Sequence, residues 1–464
     1  MQGVTLTISA IACVLVFSLS PIYALVVYLA AFSLYPSNLA VPVGTIDFTV
    51  LRIVIIAVYA KIFLLTDLPS RFKFMWVDKL VIIYYMAQVA AGLTTTQSVG
   101  AFLENRSGAV FDMVLPYFAV RLIVIDREKY LTLLKSVFVI AAPLAIVGFY
   151  QCVTGNNPVG FFRNYGAWET GDYVYVPMSR FGLTRADVVF THPIMYGLFF
   201  AMFGPVCAGI FGHVKKSRKM LYWAAMGLMC MGLFSCVSSG PALAALLSIA
   251  FIGFYRYRRH WRAAVVTVVI TCALIEIVSN RHFYDVIDRF TLNSQTAWYR
   301  SKLIDVALYE GGMSGHWIAG YGYNTDPGWG AIIDRRPYTD IVNEYLLILC
   351  RYGLIGLVPF FAVNIAAVKR LIHSYKVSTH DSDKWLIWCL AAALFGLAGA
   401  FISVSLHGQP TTMFYMLLGF CGAMPAIVRQ AKLHPAALRR GSLASSDAVI
   451  KDRGFGSNHV CQKP

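Results

Sequence analysis

Thirteen apolar blocks constrain this chain more than any other feature of its sequence. They fall at roughly 4–19, 22–35, 49–66, 77–93, 108–125, 132–150, 189–212, 219–236, 239–255, 263–279, 342–368, 385–405 and 412–429. A helix of ~20 residues crosses a hydrocarbon core of ~30 Å. The blocks are continuous rather than alternating, which excludes a β-barrel. They predict an all-α, polytopic membrane protein with about 12–13 transmembrane helices, the lower number applying if the first two blocks, broken near Ser20 and Pro21, act as one unit.

Basic clusters between the blocks predict the orientation of the chain. They lie at 213–219, 255–262, 369–376 and in the tail after Arg429. Short loops rich in Lys and Arg stay in the cytoplasm, and the order of the blocks places all four clusters on one side. Topology thus accounts for the formal net charge of +16, and a nucleic-acid partner is not expected.

The same order divides the chain into six parts. They are N-terminal transmembrane helices (1–150), an extracytoplasmic loop (151–188), central transmembrane helices (189–279), a long extracytoplasmic catalytic loop (280–341), C-terminal transmembrane helices (342–429) and a disordered cytoplasmic tail (430–464). The tail is basic, polar and contains Gly and Ser, a composition typical of disorder.

The long loop is expected to be ordered, because it is rich in Trp and Tyr. Its sequence predicts an amphipathic helix near 297–310, lying over the bundle with its N-terminus toward Arg185. Ser294 or Thr296 would cap this helix and Gly311 and Gly312 would end it. Arg300 would then lie in the first turn, where a bound phosphate could pair with it and with the free N–H groups. The alternative is an Arg300 that pairs with Asp305.

Several charged residues converge on the outer rim. Arg180, Arg185 and His192 lie where an outer loop meets a helix that Pro193 begins. Snorkelling explains one such arginine, but is a weaker explanation for two together with a histidine. The long loop and the helix after it add Arg300, Arg335, Arg336, Asp340, Asn343, Glu344 and Tyr345.

Clustered arginines suit bidentate recognition of phosphate, so an anionic, membrane-held substrate is expected at this rim. The sequence contains no HExxH or DxD motif, and most of its ten cysteines lie inside apolar blocks, where Cys behaves as a small hydrophobe. No metal or other cofactor is therefore expected. The segment 236–245 reads as a tight outer hairpin whose small residues allow close helix packing.

These motifs resemble those of the O-antigen polymerase and O-antigen ligase superfamily of bacterial inner membranes. The matching positions are Arg185, Phe190, His192, Pro193 and Gly197, then Arg300 and the Gly320-Tyr-Gly322 turn, then Asp340, Asn343, Tyr345 and Leu346 followed by 352–357. The turn Ser238-Ser239-Gly240 resembles the family's Ser-Arg-Gly turn but lacks its Arg.

The resemblance implies a metal-independent glycosyltransferase that uses sugars carried by undecaprenyl pyrophosphate on the periplasmic side, with Arg185 and Arg300 holding the pyrophosphate. Arg180, Arg335, Arg336, Asn343 and Tyr345 join the expected substrate-binding set. Asp340, Glu344 and His192 are the candidate bases. Lipid-linked oligosaccharide, membrane lipid and a chain-length regulator protein are the expected partners.

A polysaccharide polymerase is the favoured function. Ligases usually carry His-Asn where this chain has Val342-Asn343, which argues against a ligase that attaches glycan to lipid A core. A transporter or flippase is the third alternative. Buried charges usually mark transport paths, but here Arg52, Asp112 and Glu276 lie near block ends and no inverted repeat is visible.

Overall fold

The structure is a computed structural model that describes residues 2–44, 46–165, 177–279, 282, 284–285 and 294–429. The predicted disordered tail and parts of both predicted outer loops, 166–176 and most of 280–293, lie outside the described residues.

Helices occupy all thirteen apolar blocks. The helices are α1 (Gln2–Ser18), α2 (Pro21–Leu34), α3 (Val50–Leu65), α4 (Trp76–Thr95), α5 (Val99–Ala109), α6 (Leu115–Ile123), α7 (Arg127–Thr154), α8 (Pro193–Ala208), α9 (Lys219–Ser235), α10 (Ser239–Gly253), α11 (Trp261–Val278), α12 (Ser294–Leu308), α13 (Trp329–Asp334), α14 (Glu344–Val377), α15 (Asp381–Ala400) and α16 (Gln409–Arg429). Two short antiparallel hairpins accompany them: β1 (Ala40–Val43) with β2 (Ile46–Thr49), and β3 (Ser179–Arg180) with β4 (Leu183–Thr184). The predicted all-α, multi-pass membrane fold is confirmed.

Among the described residues, seven helices are long and apolar enough to cross a membrane, fewer than the predicted twelve or thirteen. They are α4, α7, α8 with its extension to Gly212, α10 with its extension to His260, α14, α15 and α16. The difference is one of length. The predicted break near Ser20 and Pro21 separates α1 from α2, and the 14 residues of α2 span only ~21 Å at 1.5 Å per residue.

Small residues bring the central helices close together, as the sequence indicates. A Cβ atom on Gly197 of α8 would lie 2.5 Å from Cys236 Sγ, and one on Gly240 of α10 would lie 2.1 Å from a methyl group of Val404. The turn 236–240 therefore packs between the start of α8 and the segment that links α15 to α16. It brings the outer loop 177–192 to the same end of the bundle as the start of α14.

A break in α14 anchors the long loop. Gly353 adopts φ 59° and ψ −158° inside the helix. The N–H groups of Leu354 and Ile355 donate to the carbonyls of Trp317 and Ile318 at 2.8 and 3.1 Å. Any side chain at Gly353 would meet the Ile318 carbonyl oxygen at 2.2 Å. Irregular backbone is tolerated at membrane depth where protein satisfies its polar groups, and here the loop does so.

The rest of the long loop forms a small core against α14. Leu303, Met313 and Trp329 are buried there against Leu346 and Leu349. The predicted loop helix is confirmed as α12, and Gly311, with φ +81°, follows its end. Because α12 begins at Ser294, Arg300 lies in its second turn. The expectation of a first-turn Arg300 is wrong, and the helix dipole acts more weakly there.

Candidate functional site

A cavity with a volume of about 620 Å³ lies at the outer-loop end of the bundle. It opens where the segments 37–52, 101–113, 323–324 and 406–411 meet the first part of α14. Its size is typical of small-molecule sites, ~300–1,000 Å³. Its titratable lining groups include Arg52, Asp112, Glu344, Arg351 and His407.

Arg52 and Asp112 form one wall of this cavity. Thr49 caps α3 by accepting a hydrogen bond from the Arg52 N–H, and Arg52 Nη2 lies 3.4 Å from Asp112 Oδ2. Asp112 stands in a π-helical turn, Val110–Val114, between α5 and α6. Such turns frequently occur at functional sites.

Glu344 is held at the cavity by backbone on both sides. Its side chain is 8% exposed, and its Oε2 atom accepts a hydrogen bond from the Leu406 N–H at 2.6 Å. Its own N–H donates to the Phe401 carbonyl at 2.8 Å. These bonds fix the carboxyl group against the segment between α15 and α16.

The neighbours of Glu344 in the expected substrate-binding set have other contacts. Asn343 caps α14 by accepting from the Leu346 N–H at 3.0 Å. The Tyr345 hydroxyl donates to the Ala398 carbonyl at 2.7 Å, and its ring stacks on Phe361. Neither residue lines the cavity; Asn343 caps α14, and Tyr345 packs α14 against α15.

Arg351 lies two helical turns after Glu344, so both side chains project from one face of α14 into the cavity. Its Cζ atom is 4.3 Å from the ring centre of Tyr323. Behind it, the buried Arg106 donates to Gln88 Oε1 at 2.9 Å and to the Tyr352 hydroxyl at 2.8 Å. This edge of the cavity therefore carries two arginines beside neutral partners.

Two neutral imidazoles connect the cavity to the outer loop 177–192. Burial, then the nearby Arg351, and then the proximity of His192 lower the pKa of His407 to about 4. Burial, and then Arg185, lower the pKa of His192 to about 4, with a smaller opposing effect of Asp187. His192 caps α8, its Nδ1 accepting from the Ile194 N–H at 3.1 Å, and α8 begins at Pro193 as predicted. Both rings are therefore expected to be uncharged at neutral pH.

Arg180 and Arg185 form a separate cluster beside the turn after α9. They donate to the carbonyls of Val237 and Cys236, each at 3.4 Å. Burial and the charge of Arg180 lower the pKa of Arg185. Asp187, 1% exposed, accepts from Gln151 Nε2 at 2.8 Å.

Arg300 lies with Asp340 on the long loop. Burial raises the pKa of the Asp340 carboxyl, and the charges of Arg336 and then Arg300 oppose that shift. Arg336 contacts Asp334 and lies 4.8 Å from the Tyr299 ring centre. Arg335 is exposed at the end of α13.

The two arginines that the resemblance selects do not line the cavity. Arg185 and Arg300 are 9% and 7% exposed, so the expectation of rim arginines facing water is wrong for both, because the turn after α9 covers one and the loop core covers the other. Asp305, the alternative partner of Arg300, accepts a hydrogen bond from the Tyr284 hydroxyl at 2.7 Å.

Several residues of the cavity region were missed by the sequence reasoning. They are Gln88, Arg106, Arg351 and His407. A usable signal was present for two of them, since Gln88 and Arg351 interrupt apolar blocks, and polar residues inside such blocks are rare and usually functional. Arg106 and His407 lie in polar connections, where nothing local distinguishes them.

Among the described residues, no group of three His, Cys, Asp or Glu side chains is placed to hold a metal ion. No family model matches the chain, and no curated protein matches it.

Proposed function

We propose that this protein is a membrane glycosyltransferase of the polymerase type. It joins a glycan carried on polyprenyl pyrophosphate to a hydroxyl of a second lipid-linked repeat, at the extracytoplasmic face of a bacterial inner membrane. The observation that carries the proposal is the 620 Å³ cavity in which a buried carboxyl group, Glu344, meets the cations Arg351 and Arg52.

The cavity supplies the groups that such a transfer needs. An acceptor hydroxyl attacks the anomeric carbon of the donor sugar, the bond from that carbon to the pyrophosphate oxygen breaks, and the lipid pyrophosphate departs. Glu344 takes the hydroxyl proton as general base. Arg351 and Arg52 stabilise the negative charge that develops on the leaving pyrophosphate.

Glu344 is preferred over the other two candidate bases because of its position. Asp340 and His192 do not line the cavity, whereas Glu344 does. His407 lines the cavity, and His192 lies near both His407 and Arg185.

Polymerisation by the purified protein tests the proposal. Full-length protein in proteoliposomes is supplied with lipid-linked repeats from a strain that lacks the gene, and the products are separated by length. We expect a ladder of polymer with the wild type and with Glu128→Gln, an exposed carboxyl at the opposite end of the bundle. Glu344→Gln keeps an oxygen acceptor for the Leu406 N–H, so the protein should fold, but its rate should fall by about 10²–10⁴-fold.

The other outcomes identify the alternatives. A single transfer to a non-repeat acceptor would indicate a ligase. Movement of the lipid-linked repeat across the bilayer without joining would indicate a flippase. Either result would overturn the polymerase proposal.

The roles that the resemblance implies for Arg185 and Arg300 need their own variants. If each holds pyrophosphate through a two-donor fork, Lys cannot replace it, and Arg300→Lys should lose about tenfold to a hundredfold in rate. If Arg300 only holds the loop, Asp305→Ala should be as damaging as Arg300→Ala while Arg300→Lys stays near wild type. Chain-length profiles, with protein levels measured alongside, decide between these outcomes.

A further inference from the structure

A second, smaller cavity of about 190 Å³ borders the large one. Its lining combines apolar surface with neutral polar side chains. The polar groups include the hydroxyls of Thr95, Thr96 and Ser98, and the amides of Gln97, Asn105 and Asn324. Most of them belong to the turn that joins α4 to α5 and to the first turns of α5. The function proposed above leaves this cavity without a role.

The two cavities share one wall. Asn105, Tyr323 and Asn324 line both of them, and Asn105 Nδ2 donates to Asn324 Oδ1 at 3.2 Å. Two arginines lie near the ring of Tyr323: the Cζ atom of Arg351 is 4.3 Å from the ring centre, and that of Arg106 is 5.7 Å from it. A ligand in the small cavity would therefore lie next to a ligand in the large one.

The linings of the two cavities differ in charge. The large cavity has cations and carboxylates, among them Arg52, Arg351, Asp112 and Glu344. In the described lining of the small cavity, Arg106 is the one charged residue, and its Nη atoms donate to Gln88 and Tyr352. The remaining polar groups are hydroxyls and amides, and several of them already bond within the chain: Thr95 and Thr96 donate to the carbonyls of Ala91 and Ser98, and Ser98 Oγ accepts from the Ala101 N–H. Each hydroxyl oxygen has a second lone pair with which to accept, and the Gln97 amide both donates and accepts.

We infer that the small cavity is the acceptor subsite, and that it binds one uncharged sugar residue of the acceptor repeat. Hydroxyl and amide groups match the alternating donors and acceptors of a sugar ring. The volume, below the ~300 Å³ of a typical drug-sized site, suits one sugar residue rather than a whole repeat. This inference rests on the proposed function. It places the acceptor across the shared wall from the large cavity, which holds Glu344 and the donor pyrophosphate.

Kinetics that separate acceptor from donor test the subsite. Gln97→Ala is the primary variant, because Gln97 is exposed in the turn between α4 and α5 and lines only the small cavity. Thr325→Ala is the second variant, because Thr325 also lines the small cavity and not the large one. For wild-type and variant proteins in proteoliposomes, the rate is measured against acceptor concentration at saturating donor. It is then measured against donor concentration at saturating acceptor.

We expect each variant to raise the acceptor KM by about threefold to tenfold, the loss that one neutral hydrogen bond gives. The donor KM and kcat should stay near wild type. Asn156→Ala, an exposed amide on the other outer loop, serves as the control and should change nothing. An unchanged acceptor KM in Gln97→Ala and Thr325→Ala, or an equal rise in donor KM, would overturn the subsite.

A binding measurement keeps the two proposals distinguishable. The probe is the free repeat oligosaccharide released from the polysaccharide of a strain that carries the gene. It is titrated into the full-length wild type and into Gln97→Ala by calorimetry. Absence of polymer with retained, Gln97-dependent binding overturns the proposed function and leaves the saccharide site. Absence of binding to the wild type overturns the subsite.

Discussion

Two arginines on consecutive helices are equally buried, but one has a carboxylate partner and the other has neutral partners. Arg121 of α6 and Arg106 of α5 are each 5% exposed, and each contacts α4. At one end of α4, Asp78 accepts from Arg121 Nε and Nη2 at 2.8 and 3.0 Å. At the other end, Gln88 gives Arg106 a neutral partner.

The difference separates charge that holds the fold from charge that is available to a ligand. Asp78 also accepts from the Tyr117 hydroxyl at 2.5 Å and the Met75 N–H at 2.8 Å, so that pair is closed on itself. Arg106 lines the small cavity and donates to the neutral groups of Gln88 and Tyr352. Burying a charge without a carboxylate partner costs free energy, so Arg106 should contribute less to stability than the Arg121–Asp78 pair.

The largest effect is expected from breaking the closed pair. Asp78→Ala leaves Arg121 buried and unpaired, which should lower the free energy of unfolding by about 3–5 kcal/mol. Thermal unfolding of the purified protein and its abundance in membranes should both fall. Asp67→Ala, at an exposed position between α3 and α4, is the control. If Asp78→Ala unfolded at the wild-type temperature, the Arg121–Asp78 pair would not be the structural element that the comparison makes it.

Removing Arg106 should cost less. Arg106→Ala leaves an amide oxygen of Gln88 and the Tyr352 hydroxyl without their donor, but it orphans no charge, so the loss should be about 1–3 kcal/mol. Polymer formation should fall together with the unfolding temperature. If Arg106→Ala lowered the free energy of unfolding as much as Asp78→Ala does, Arg106 would contribute to stability as strongly as the Arg121–Asp78 pair.

A matched pair of conservative changes sharpens the contrast. Arg351→Lys keeps the charge at the cavity but loses the planar fork, and polymer formation should fall about tenfold at normal protein abundance. Arg121→Lys loses one bond of a bidentate pair, and abundance should fall instead. The product ladder and an immunoblot of the same membranes measure both quantities. Lower abundance for Arg351→Lys, or lower polymer formation at normal abundance for Arg121→Lys, would contradict the comparison.

Single Cys substitutions, which should perturb the protein least, test which end of the helix bundle faces out of the cytoplasm. Cys substitutions at Asn324 and Asn156 should react with an impermeant thiol reagent in intact spheroplasts, whereas one at Lys216, in a basic cluster, should react only after lysis. All three positions accept small changes, because they lie outside the transmembrane helices. Labelling of the Lys216 position in intact cells would reverse the predicted topology.

Much of the fold follows from local sequence. Block lengths locate the helices because a transmembrane helix satisfies its own backbone. Pro193 and Gly311 mark helix ends through their fixed or permissive φ values. The α12 helix shows its amphipathic pattern within fifteen residues.

The site follows much less from local sequence. The contact of Arg106 with Tyr352 spans 246 positions, and no local pattern encodes it. Arg185 and Arg300 could be recognised as arginines near outer helix ends. Their burial depends on the turn after α9 and on the loop core, which only the tertiary packing reveals.

The break at Gly353 has a consequence for how the chain enters the membrane. The N–H groups of Leu354 and Ile355 are paired by carbonyls at 317–318, a segment that is synthesised before α14. Until that segment has folded, α14 would expose unpaired backbone groups, each costing several kcal/mol in lipid. Completion of α14 is therefore coupled to folding of the loop. A chain whose loop misfolds would be left with a defective span, which the quality control of membrane insertion can recognise.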